Sequence, residues 1–215
     1  DILKKADVIL YDNLANVELL NYAKNDSEKV FVGKSAGNHT LKQEEIIDLL
    51  IKYSRNKKTV LRLKGGDPLI FGRGSEEALA LQKEDIDFEF IPGITSGLAA
   101  ATYSGIPITH RNKVTQTVLI TGHESIEKNN SQVDWENLAK LKNANLMIYM
   151  AVAQMPQIAK KLIHFGMPEN TNVEIVRNAT FNNQQSYETT LGGLEKYIEK
   201  NSIKPPAIFI IGPTI

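Results

Sequence analysis

At 215 residues, 42% hydrophobic and 23% charged, the chain can bury a core as one large domain or two small ones. Its 25 lysines and arginines balance 25 aspartates and glutamates, so no global charge draws it to nucleic acid or an anionic membrane. It has no cysteine, which excludes disulfides and thiolate chemistry and fits a cytoplasmic protein, and no apolar run nears the ~20 residues of a membrane span.

The opening Asp1-Ile2-Leu3-Lys4-Lys5-Ala6 reads as the tail of a helix already under way, which points to chain ahead of it. Val8-Ile9-Leu10-Tyr11 predicts a strand that ends at the turn residues Asp12-Asn13. A short helix over 17–23, a strand over Lys29-Val30-Phe31-Val32 and a loop over 33–39 follow. Thr40 and Gln43 have capping-box spacing and open a helix with Ile46, Ile47, Leu50 and Ile51 on one face. Thr59-Val60-Leu61 predicts a buried strand, and Ser75 starts a helix with acidic residues in its first turn. Between them lies Arg62-Leu63-Lys64-Gly65-Gly66-Asp67-Pro68-Leu69-Ile70-Phe71-Gly72-Arg73-Gly74. Gly65 and Gly66 permit positive φ and let backbone N–H groups approach a ligand, while Pro68 stiffens the turn. Phe88-Glu89-Phe90-Ile91 predicts a further strand, and Pro92-Gly93-Ile94-Thr95-Ser96 leads into an alanine-rich helix to Tyr103. Strands alternating with helices predict a parallel sheet.

Residues 104–111 carry two breakers and no periodicity, and read as a linker with a boundary near 113. Two α/β domains follow, 1–113 and 114–215. The second is predicted to hold strands over 117–121, 146–150, 173–176, 185–190 and 207–211, with helices over 155–163 and 191–200. The strand over 185–190 reads as antiparallel, and 124–134 reads as a polar loop.

The loops after the parallel strands gather at one sheet edge, where ligands bind in open α/β folds. They contain Asp12, Lys34, the Gly65-Gly66-Asp67 turn, Thr95-Ser96 and Met150. Asp12 reads either as a general base or as a turn-forming aspartate. Lys34 reads as a proton donor, an anion contact or a solvated lysine. Arg62, Lys64, Arg73, His110, Arg111 and Lys113 read either as a basic patch for carboxylates or as scattered surface charge. The four histidines have no metal-ligand spacing, and no metal site is expected. Neither a dinucleotide fingerprint nor a Walker loop is present.

The stretch from Arg62 to Gly74, with Pro92-Gly93-Ile94-Thr95-Ser96 and Gly105-Ile106-Pro107-Ile108-Thr109-His110-Arg111, resembles the uroporphyrinogen-III C-methyltransferases. Tyr11-Asp12-Asn13-Leu14, Val32-Gly33-Lys34, Thr121-Gly122-His123, Asp134-Trp135 and Tyr149-Met150 match in the same order along the chain. The resemblance implies the tetrapyrrole methylase fold, two α/β domains with the active cleft between them. It implies S-adenosylmethionine as methyl donor, uroporphyrinogen III as acceptor, methylation at C2 and C7 to precorrin-2, and a homodimer. By position, Asp12 matches the family's proton acceptor and Lys34 its proton donor. Gly65, Gly66, Asp67, Ile70, Thr95, Ser96, Met150 and Ala179 match donor-binding positions. Arg73, His110 and Arg111 would meet substrate carboxylates, on charge logic. Three departures stand out: the family's first strand with its Gly-x-Gly-Pro-Gly-Asp turn is missing from this sequence, and Ala179 and Ala151 occupy positions where the family usually has glycine.

Overall fold

The computed structural model describes residues 1–33, 41–56, 58–123 and 131–215. They divide into two compact units, Asp1–Thr95 and Ser96–Ile215.

The first unit is built on a parallel sheet of β1 (Val8–Tyr11), β2 (Glu28–Phe31) and β3 (Val60–Leu63), in the order β2-β1-β3. β1 lies in the middle because its apolar run can be covered on both faces. The two-residue period sends Val8 and Leu10 to one face, where Ile46 and Leu50 of α1 (Gln43–Arg55) pack on them. Ile9 goes to the other face, against Ala6 and Leu20 of the 3-10 segment Val17–Tyr22. Full burial of each such aliphatic side chain is worth roughly 1.5–3 kcal/mol. α1 opens at Lys42, whose N–H donates to the Glu45 carboxylate at 2.5 Å; the cap expected at Thr40 lies outside the described residues. α2 (Gly74–Lys83) follows the glycine-rich stretch, and the chain opens on a 3-10 turn, Ile2–Lys4.

Phe88-Glu89-Phe90-Ile91 does not form the strand its alternation predicts. Alternation describes only the two sides of a segment; a strand also needs a neighbour's backbone, and among the described residues none pairs with it. Its two rings meet edge to face at 5.6 Å and remain exposed.

The second unit holds β4 (Gln116–Thr121), β5 (Ala144–Tyr149), β6 (Asn172–Arg177), β7 (Gln185–Thr190) and β8 (Ala207–Ile211). They lie in the order β4-β5-β8-β6-β7. β4 and β5 are parallel, and β8 runs antiparallel to β5 and β6, so β4, β5 and β6 point the same way. Leu146, Ile148, Val173, Ile175, Phe209 and Ile211 face one side. There α4 (Trp135–Ala139), α5 (Met155–His164) and α6 (Leu194–Lys200) cover them. Met147, Tyr149, Val176, Ile208 and Ile210 face the other side with Ala100 and Ala101 of α3 (Ser96–Tyr103).

The units part at Thr95, ahead of the boundary near 113 that the breakers suggest. Residues 104–113 go with the second unit because that unit claims their backbone. The Ile108 carbonyl accepts from buried Asn145 Nδ2 at 3.0 Å and from Thr117 Oγ1 at 2.8 Å, and His110 forms a bridge with Val114.

Candidate active site

In the first unit, three loops meet beyond the carboxyl ends of β1 and β3. The register pairs Leu10 with Arg62, which puts Arg62 on the α1 face; Asp12, two residues beyond Leu10, points to the same face. Asp12 Oδ1 accepts the Leu14 N–H at 2.9 Å, and Oδ2 accepts Arg62 Nη2 at 2.7 Å. Asp12 is therefore a turn-former through one oxygen and a paired carboxylate through the other. Arg62 Nη1 also donates to the Leu63 carbonyl at 2.9 Å. Glu77, in the first turn of α2 and 5% exposed, takes Lys64 Nζ at 2.9 Å and Gln43 Nε2 at 3.0 Å on one oxygen. Arg62 Nε lies 3.5 Å from that same oxygen, an ion-pair distance. Burial pushes the Lys64 ammonium below its usual pKa, and the neighbouring Arg62 charge adds to the fall. Arg62 and Lys64, which the sequence groups with a surface basic patch, are thus enclosed in ion pairs.

Asp67 ties two of the loops together. Its carboxylate accepts the N–H groups of Leu69 at 2.9 Å and Gly93 at 3.1 Å, and these bonds hold its pKa below the usual range. The glycines let backbone touch backbone. A Cβ on Gly65 would fall 2.2 Å from the Leu14 carbonyl oxygen, and one on Gly93 would fall 2.3 Å from that of Gly66. Ile70 is exposed and Thr95 buried at the end of the third loop. Arg73 grips Glu76 with two bonds, Nε to Oε1 at 2.9 Å and Nη2 to Oε2 at 2.7 Å, so an incoming anion must displace Glu76.

In the second unit, β4, β5 and β6 end at one edge, in Gly122-His123, Met150-Ala151 and Asn178-Ala179. The start of α3 reaches the end of β5 through Gly97, whose N–H donates to the Tyr149 hydroxyl at 3.1 Å, so Ser96 lies there too. Met150 has φ +54° and is 52% exposed. β8 separates β5 from β6, so Met150 and Ala179 lie two strand spacings apart, roughly 10 Å. Asn178 and Thr180 take left-handed φ angles, whereas Ala179 between them does not, and its methyl packs against the cluster beneath α3. Ala151 is fully buried, against the space that a Cβ on Gly122 would need. His110 and Arg111 are exposed in the turn closed by the bridge to Val114.

The first unit thus gathers Asp12, Gly65, Gly66, Asp67, Ile70 and Thr95, and the second gathers Ser96, Met150 and Ala179. Arg73 belongs to the first unit, His110 and Arg111 to the second, and Lys34 lies outside the described residues. Sequence reasoning passed over Glu77 and Tyr149. An acid in a first helical turn reads as a dipole partner, and a tyrosine ending an apolar run reads as core. Among the described residues no group of three or more histidines or acids could hold a metal, and no helix is long and apolar enough to cross a membrane.

Residues 1–195 match the family model described as Tetrapyrrole (Corrin/Porphyrin) Methylases. The chain belongs to this family. The tetrapyrrole methylase is 42% identical, over 99% of its length, to the uroporphyrinogen-III C-methyltransferase of Methanocaldococcus jannaschii, of which it spans 87%. Its fold matches that of the uroporphyrin-III C-methyltransferase of Thermus thermophilus, solved in complex with S-adenyl homocysteine. That match has a TM-score of 0.81 and 34% identity, over 99% of this chain and 88% of the other. A cobalt precorrin-4 methyltransferase, a cobalamin biosynthetic enzyme, matches with a TM-score of 0.84 and 27% identity, over 98% and 85%.

Proposed function

We propose that this tetrapyrrole methylase transfers methyl groups from S-adenosylmethionine to uroporphyrinogen III at C2 and C7, giving precorrin-2. The observation that carries the reading is the 42% identity, across 99% of the chain, to a relative named for that activity. Fold likeness does not separate it from the precorrin-4 enzyme, whose TM-score is 0.84 against 0.81; sequence does, at 27% against 34% identity.

The donor supplies an electrophilic methyl group, so the protein's work is to hold the two substrates in line and to move protons. In the first unit, Gly65, Gly66, Asp67, Ile70 and Thr95 contact the donor from loops that Asp67 and the glycines lock together. In the second, Ser96, Met150 and Ala179 lie at the strand-end edge and match donor-binding positions of the family by sequence. That edge offers an exposed thioether at Met150 and, at position 179, only a methyl group, an apolar surface that suits the nucleoside part of the donor. Each methyl transfer brings a methyl cation onto a ring carbon, so one proton must leave the macrocycle, and Asp12 accepts it; Lys34 is the proton donor that helps the remaining hydrogens rearrange, regaining the proton it gives. Arg73, His110 and Arg111 bind the carboxylates of the substrate. The enzyme works as a homodimer in the cytoplasm.

The test is anaerobic incubation with both substrates, with the product followed by mass. A gain of two methyl groups supports the reading. Methylation of a cobalt-precorrin acceptor, with none on uroporphyrinogen III, transfers the activity to the sister reaction. Asp12→Asn is expected to abolish turnover while sparing donor binding; full turnover would remove Asp12 as the base.

A further inference from the structure

We propose that Glu77 is a positioning residue, which acts on the reaction by fixing the Arg62 guanidinium that holds Asp12. The inference rests on the methyl-transfer reading, in which Asp12 is the base.

Four charged groups meet on the α1 face of the first sheet: Asp12, Arg62, Lys64 and Glu77. Their side chains are 20%, 11%, 12% and 7% exposed, so none is strongly solvated. The set is neutral only with both carboxylates present, and each does a different job. Asp12 stands at the strand end with one oxygen on Arg62 Nη2 at 2.7 Å. Glu77 stands behind, its oxygen 3.5 Å from Arg62 Nε and 2.9 Å from Lys64 Nζ. Arg62 Nε is buried and has no hydrogen-bond acceptor, so the Glu77 charge is what holds that side of the guanidinium. The Nη1 bonds to the Leu63 and Leu10 carbonyls, at 2.9 and 3.4 Å, fix the depth of the fork. Glu77 fixes its tilt, and the tilt decides where Nη2 meets Asp12. Gln43 Nε2 at 3.0 Å and the helical backbone of α2 hold Glu77 itself. Without Glu77, two enclosed cations would compete for Asp12 alone, and Lys64 would draw on the carboxylate that must accept a proton.

The experiment compares Glu77→Gln with wild type in steady-state methyl transfer, varying donor and tetrapyrrole separately. The expected result is a fall in kcat of about 10- to 100-fold with both KM values within about twofold, the scale of a misplaced catalytic group. In the Asp12→Asn background, measured by single-turnover transfer of labelled methyl, Glu77→Gln is expected to cost nothing further. A kcat within about twofold of wild type would overturn the inference, as would an equal loss in both backgrounds, which would mark Glu77 as merely structural. If Glu77→Gln does not fold, Lys64→Met with Glu77→Gln restores the balance of enclosed charge. That pair is expected to fold and stay slow, and recovery to the kcat of Lys64→Met alone would overturn the inference. Failure of the underlying reading looks different: Asp12→Asn would then be fully active, whatever Glu77 does.

Discussion

The Tyr149 hydroxyl accepts the N–H of Gly97 at 3.1 Å, joining the end of β5 to the first turn of α3. A helix start leaves N–H groups without partners, and this bond satisfies one of them from the neighbouring strand. The approach is so close that a Cβ on Gly97 would lie 2.2 Å from the hydroxyl oxygen and 2.7 Å from Cζ.

Tyr149→Phe should therefore cost about 1 kcal/mol by leaving a buried N–H unpaired, and Gly97→Ala about 1–3 kcal/mol by overpacking. The two should not add, because removing the hydroxyl removes the nearest clash. Urea unfolding of the singles and the double measures this; strict additivity would show that residue 97 does not meet the ring.

The basic side chains assigned to substrate carboxylates are not equivalent. Arg111 is exposed and holds no ion pair among the described residues, whereas Arg73 already grips Glu76. Arg111→Ala should raise the KM for the tetrapyrrole about tenfold, the loss of one charge-assisted bond, and Arg73→Ala less than about threefold. Glu76→Gln frees the Arg73 fork and should lower that KM. Initial rates at saturating donor decide it, and a larger effect at Arg73 than at Arg111 would reverse the ranking.

Glu174 is buried in β6 opposite Glu188 of β7, and burial, with the Glu188 charge, raises its pKa above the ordinary 4.5 despite a hydrogen bond to Ser186. The folded state then keeps a proton that the unfolded state has lost. Stability should fall as pH rises from about 4.5 through the raised value, and level off above it. Glu174→Gln should remove that fall, leaving the variant more stable than wild type at pH 8 but not at pH 4. Denaturant midpoints at the two pH values check the sign; a variant weaker at pH 8 would refute it.

The strands were legible wherever an apolar run stood between turn residues. β1, β5 and β8 are examples, since burial on both faces demands such runs. The segment at 88–91 misled because its alternation is a property of one segment, while a ladder belongs to two. Gly105 and Pro107 advertise a break in regular structure, yet Asn145 and Thr117 take up the backbone there, so the second compact unit starts earlier, at Ser96. At the candidate site, Asp12 and the glycine stretch could be read from turn chemistry. The partnership of Asp12 with Arg62 could not, because it comes from strand register fifty residues away in sequence. Glu77 was hidden for the same reason: its partners sit on β3, on the loop that follows and on α1.

Gly122 and Ala151, at the ends of two parallel strands, leave room for a methyl group at 151 alone, since a Cβ on Gly122 would lie 2.5 Å from that of Ala151. Removing the Ala151 methyl would not open position 122, because a Cβ there would still fall 2.9 Å from the Cα of residue 151 and 3.2 Å from Ile158 Cδ1. Position 122 is thus held to glycine whatever stands at 151, while 151 can lose its methyl at the cost of a small void, about 1 kcal/mol.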